Sequence, residues 1–162
     1  MITVVDYKLN NLRSIENTLR RLGSAVRVTS DPAEVALAEK LVLPGVGAFA
    51  DAMRNLTNMG LVEPFLERVR AGTPTLGICL GMHLLFTESE EFGLHRGLDL
   101  IGGRVRRIPE GVKVPHMGWN QLHIRQADPL LEGIEAESFV YFVHSYFAED
   151  RKSTRLNSSH RL

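Results

Sequence analysis

Thr75-Leu76-Gly77-Ile78-Cys79-Leu80-Gly81-Met82 is the stretch that decides the fold. Thr75 to Ile78 is a short apolar run with strand character, and Leu80 to Phe86 suits a helix. A strand that enters a helix directly through Gly-x-Cys-x-Gly makes a sharp turn and pushes one side chain out at the top of a sheet. That is the arrangement of a nucleophile elbow, here with sulfur. The glycines two positions either side of Cys79 leave room for close backbone approach. A helix N-terminus carries partial positive charge, which favours a thiolate. The N–H of Leu80 can point at a developing oxyanion. A lone cysteine is by itself more often a small buried hydrophobe; the turn is what singles Cys79 out.

Working outward, Leu41-Val42-Leu43 is a second apolar run, cut off by Pro44-Gly45. Beyond it, Gly45-Val46-Gly47 allows a turn that presents backbone N–H groups to an anion, with the amide of Val46 as a second oxyanion donor. Residues 48–59 and 61–71 read as helical segments parted near Gly60. Ile2 to Val5 reads as a strand rather than the start of a signal peptide. Leu12, Ile15, Leu19 and Leu22 follow at helical spacing, with Gly23 as the stop. Ala25 to Thr29 reads as a strand, and Asp31-Pro32 opens a short helix. This alternation predicts an α/β fold with an open, mostly parallel, flavodoxin-like sheet and helices on both faces. Ligands in such sheets bind at the carboxyl ends of the strands. Val105 to Ile108, Gln121 to Ile124 and Phe139 to Val143 read as further strands, with a turn at Asp128-Pro129-Leu130, and predict a mixed or antiparallel edge.

The chain of 162 residues suits one domain. Residues 151–162 show neither period, so the domain is expected to span 1–150, incomplete at its C-terminus, with a non-native tail behind it. Net charge is zero, which gives no electrostatic reason to expect a nucleic acid or an acidic membrane surface as partner. No stretch approaches the roughly 20 apolar residues of a membrane span. The single cysteine excludes an internal disulfide and fits a reducing compartment, the cytoplasm.

Gly77-Ile78-Cys79-Leu80-Gly81-Met82 resembles the nucleophile motif of class I, triad-type glutamine amidotransferases. Leu43-Pro44-Gly45-Val46-Gly47-Ala48-Phe49, Asn11-Leu12-Arg13-Ser14, Val114-Pro115-His116-Met117-Gly118-Trp119-Asn120 and Tyr141-Phe142-Val143-His144-Ser145-Tyr146 narrow the resemblance. Together they are similar to the glutaminase subunits of imidazole glycerol phosphate synthase, an enzyme of histidine biosynthesis. The resemblance implies that Cys79 attacks glutamine and forms a thioester. It implies oxyanion amides at Val46 and Leu80, and a substrate cradle of Gly45, Gly47, His83, Ser145 and Tyr146. It implies no cofactor and no metal. Its partner is a (β/α)8 barrel cyclase subunit that takes the ammonia and faces Pro115, His116, Met117, Gly118, Trp119, Asn120 and Tyr141. Trp119 and Tyr141 read equally well as core aromatics.

Three departures from the family stand out. Its histidine base and orienting glutamate, from a His-Pro-Glu segment, have no counterpart in these residues, so little or no activity is expected of this polypeptide. His83 replaces a glutamine that helps hold the substrate. Lys8-Leu9-Asn10 replaces glycine-rich sequence. The alternatives are a glutaminase of another amidotransferase, such as that of vitamin B6 synthesis, and a non-catalytic docking module for a barrel partner.

Overall fold

The computed structural model describes residues 1–150 apart from positions 10, 110, 112, 125 and 126. The expected tail, 151–162, lies outside the described residues. The chain begins with β1 (Ile2–Val5), α1 (Leu12–Arg21), β2 (Val26–Thr29), α2 (Pro32–Ala36), β3 (Leu41–Gly45), α3 (Phe49–Asn58), α4 (Val62–Arg70), β4 (Thr75–Cys79) and α5 (Leu80–Leu84). The four strands form one parallel sheet in the order β2-β1-β3-β4.

Strand alternation sends side chains to two faces. Val5, Leu41 and Leu43 meet Phe49, Ala52 and Leu56 of α3, Phe65 and Leu66 of α4, and Leu80 and Leu84 of α5. Val4, Val26 and Val42 face the other way, against Leu12, Ile15 and Leu19 of α1. Helices therefore cover both faces, as the strand–helix alternation predicts. Leu22 departs from the helical face: it follows the last turn and is exposed. Asp31 caps α2, its side chain accepting from the Ala33 N–H at 2.8 Å.

Two boundaries differ from the sequence reading. β3 continues through Pro44 and Gly45, paired with β4 to the end. A proline is tolerated there because the ladder to β1 has already ended at Val4–Val42. α5 is one turn long, and Phe86 opens a strand instead of closing a helix. The N–H groups of Leu98 and Leu100 take the carbonyls of Leu84 and Leu85 at 2.8 and 2.9 Å, so tertiary pairing overrides local helix preference.

The remaining strands are β5 (Phe86–Ser89), β6 (His95–Arg96), β7 (Ile101–Arg107), β8 (His116–Gln121), β9 (Phe139–His144) and β10 (Tyr146–Asp150). β10-β7-β5-β6 make a second, mixed sheet in which only β5 and β7 run parallel. β8 and β9 form a separate antiparallel ribbon, with Trp119 opposite Tyr141. The antiparallel strands are thus a second sheet and a ribbon rather than one continuous edge. The strand expected at Gln121–Ile124 lies earlier, at His116–Gln121, where pairing with β9 carries the ladder through Gly118. Pro129–Leu131 is a 3-10 turn capped by Asp128. No helix among the described residues is long and apolar enough to cross a membrane.

Candidate active site

The pairing of β3 with β4 sets Gly45 directly opposite Cys79. The two strand ends singled out by sequence are therefore one place. Cys79 has φ +54° and ψ −120°, a conformation that residues with a side chain resist, and its thiol is exposed. The neighbouring glycines make this turn possible. A Cβ on Gly81 would run into the carbonyl oxygen of Leu43, and one on Gly77 would lie 2.6 Å from the Met82 Cα. α5 thus rests directly on the backbone of β3 and β4. Because it is a single turn, its dipole is correspondingly small.

One expected donor is occupied. The Val46 N–H donates to the carbonyl of Leu9 at 3.0 Å, so in this structure it does not face an oxyanion. The cause is the β1–α1 loop, whose Leu9 carbonyl reaches the exposed turn. Val46 itself is exposed, and Gly47 has φ +100°. At the next step along the chain, the Phe49 N–H that opens α3 donates to Glu91 at 2.8 Å.

His83 lies one turn beyond Cys79 and is half-buried. Burial pushes its pKa down to about 4, and the charge of His144 adds to the shift. The imidazole is neutral near pH 7 and can both donate and accept. Burial also lowers the pKa of His144, as does the charge of His116. Nδ1 of His144 carries its proton and donates to the carbonyl of Tyr146 at 2.9 Å, since a carbonyl only accepts. The His116 and His144 rings meet edge-on at 5.4 Å. The Ser145-Tyr146 segment follows His144 at the β9–β10 junction. Both residues are half-buried, and the Ser145 carbonyl accepts from Ile108 at 3.0 Å. Gly45, Cys79, Leu80 and His83 thus lie together where β3 and β4 meet α5, while Ser145 and Tyr146 sit at the β9–β10 junction.

The residues expected at a partner surface divide by face. Met117, Trp119 and Tyr141 point outward from the ribbon and are exposed, Trp119 by 67%. Trp119 and Tyr141 stack edge-on at 5.5 Å, on the surface rather than in the core. Pro115 is exposed just before the strand, while His116, Gly118 and Asn120 alternate with the outward residues and are half-buried. Phe139 and Val143 extend the outward face. Sequence reasoning missed these two, although their period-two spacing with Tyr141 carries the signal.

Residues 3–160 match the family described as glutamine amidotransferase class-I. The chain is 55% identical to the imidazole glycerol phosphate synthase subunit HisH of Syntrophotalea carbinolica, over 91% of this chain and 75% of that protein. It is 57% identical to the HisH subunit of Methanothermobacter thermautotrophicus, over 92% and 74%. A crystal structure of a glutamine amidotransferase shares the fold, with a TM-score of 0.68 and 18% identity over 94% of this chain and 75% of that one. The strand–Cys–helix turn, the glycine loop registered beside it and these relatives agree: the chain belongs to the class-I glutamine amidotransferase family, among the HisH subunits of imidazole glycerol phosphate synthase.

Proposed function

We propose that the chain hydrolyses glutamine and passes the ammonia to a (β/α)8 barrel cyclase subunit. The Cys79 thiolate attacks the carboxamide carbon, and the tetrahedral oxyanion forms beside the Leu80 amide. Collapse expels ammonia, protonated as it leaves, and gives a glutamyl thioester that water opens to glutamate. Gly45, Gly47, His83, Ser145 and Tyr146 cradle the substrate. Val46 serves as a second donor once its bond to Leu9 is released. The observation that carries this reading is the strained turn at Cys79 registered against Gly45.

The outward face of the β8–β9 ribbon is where the cyclase docks, with Trp119 and Tyr141 as anchors. Aromatic residues in such exposed positions are typical interface anchors. Residues 1–150 carry the glutaminase domain, and the protein works in the cytoplasm. A chain limited to these 162 residues holds no His-x-Glu segment, and such a chain turns glutamine over slowly for want of the base and orienter that the resemblance implies.

Two measurements on the chain with a cyclase partner test these points. A diazoketone analogue of glutamine labels Cys79, excess glutamine suppresses the labelling, and Cys79→Ser abolishes it. Labelling that glutamine does not affect overturns the pocket. Glutamine turnover equal to that of a full-length relative overturns the account of the missing base. The exposed ribbon also favours a second reading, a docking module without chemistry. Partner binding without glutamine-protected labelling selects it.

A further inference from the structure

Tyr7 follows β1 and is wholly buried, with 0% exposure. The side chain of Asn55 donates to its backbone carbonyl at 3.0 Å, fixing the residue against α3. Its ring packs in the core cluster that includes Leu43, Phe49 and Leu80. Its hydroxyl nevertheless has no hydrogen-bond partner among the described residues. A buried hydroxyl left unsatisfied costs stability, and phenylalanine would fill the same space without that cost.

The position of the hydroxyl supplies a reason for keeping it. A Cβ on Gly45 would run into the Tyr7 oxygen, and would lie 3.0 Å from both the Gly81 nitrogen and the Leu80 Cβ. The oxygen therefore fills the wedge between the end of β3 and the start of α5. Gly45 is paired with Cys79, and adjacent strands lie about 4.8 Å apart. Burial raises the pKa of the phenol, and the charge of Cys79 raises it further. The group stays protonated and is available as a donor.

We propose that the Tyr7 hydroxyl is a hydrogen-bond donor held in reserve for the anionic form of Cys79, unsatisfied at rest and turned toward the sulfur when its proton leaves. This rests on Cys79 being the reactive thiol. It gives the turn a donor from the segment that follows β1, independent of the backbone amides.

Cys79 is the only cysteine, so alkylation of the full chain by iodoacetamide reads this thiol alone. In Tyr7→Phe the rate near pH 7 falls roughly threefold: a tenfold loss of thiolate is partly offset by the higher nucleophilicity of a more basic sulfur. Near pH 10 the deficit disappears and reverses, because the more basic sulfur of the variant is the better nucleophile once protonation no longer limits the rate. The Tm stays equal or rises, because an unsatisfied hydroxyl has been removed. Equal rates near pH 7 overturn the proposal. So does a deficit of the same size at both pH values with a lower Tm, which marks a packing role only. Glutamine-protected labelling on the same samples tests the glutaminase reading separately. Its failure beside a Tyr7-dependent alkylation rate leaves the donor standing, and the converse removes the donor alone.

Discussion

Cys79 occupies a backbone conformation that favours glycine, and that strain gives a direct forecast. Glycine normally destabilises relative to alanine. At position 79 the order reverses: Cys79→Gly is more stable than Cys79→Ala by about 1 kcal/mol, the strain relieved less the entropy lost. Thermal melts of the two variants read the difference, and an alanine variant as stable as the glycine one would remove the strain argument. Lys8 shows a related effect. It has φ +69°, a conformation glycine adopts more readily, and its N–H and ammonium both bond to Asp6, at 2.9 and 2.6 Å. At this scale the sequence was most informative where chemistry and turn geometry coincide in one short segment, as at Cys79 and its glycines. Tyr7 and the engaged amide of Val46 were not legible, because Gly45 and Leu9 meet them only across the fold.

The helix after Cys79 is short, and its seat on the sheet matters more than its length. Gly81 tolerates no side chain because the opposing atom is the backbone carbonyl of Leu43, which has no rotamer to escape into. Gly81→Ala therefore costs more than about 3 kcal/mol, as expected of overpacking that forces backbone to move. A lowered urea midpoint or loss of folded protein records this, and a midpoint within about 0.3 M of the parent would contradict it. The strand–helix alternation of the first half was legible because apolar runs and helical spacing are local signals. The second half was less so. β8 carries Gly118 and follows Pro115, and its strand character exists only through pairing with β9. β10 likewise depends on β7 for its ladder.

Across the whole molecule, the burial of His83 in α5 makes stability depend on pH. His83 has its pKa pushed down to about 4 in the folded state, against roughly 6.5 when unfolded. Between these values the unfolded chain binds a proton that the folded chain refuses. Stability is full above about pH 6.5 and falls as pH drops to about 4, where the loss levels off. With its partial exposure, His83 contributes on the order of 1–2 kcal/mol to that fall. Urea midpoints from pH 7 to 4 should flatten in His83→Gln, and an unchanged slope would refute the assignment. Trp119, the only tryptophan, reports on the outward face of the ribbon. Its emission should be that of a hydrated indole and shift to the blue when the cyclase partner binds; a spectrum indifferent to the partner would place docking elsewhere. One further property follows from the sheet order. β4 ends the parallel sheet and pairs with β3 alone among the described residues, so part of its backbone lacks a ladder partner. In amide hydrogen exchange, Thr75 to Cys79 should trade protons for deuterons sooner than Val4 or Val42 in the sheet interior, through local openings that leave the core intact. The strand that carries Cys79 is then among the first to loosen, and slowed exchange there would register whatever comes to lie along its open edge.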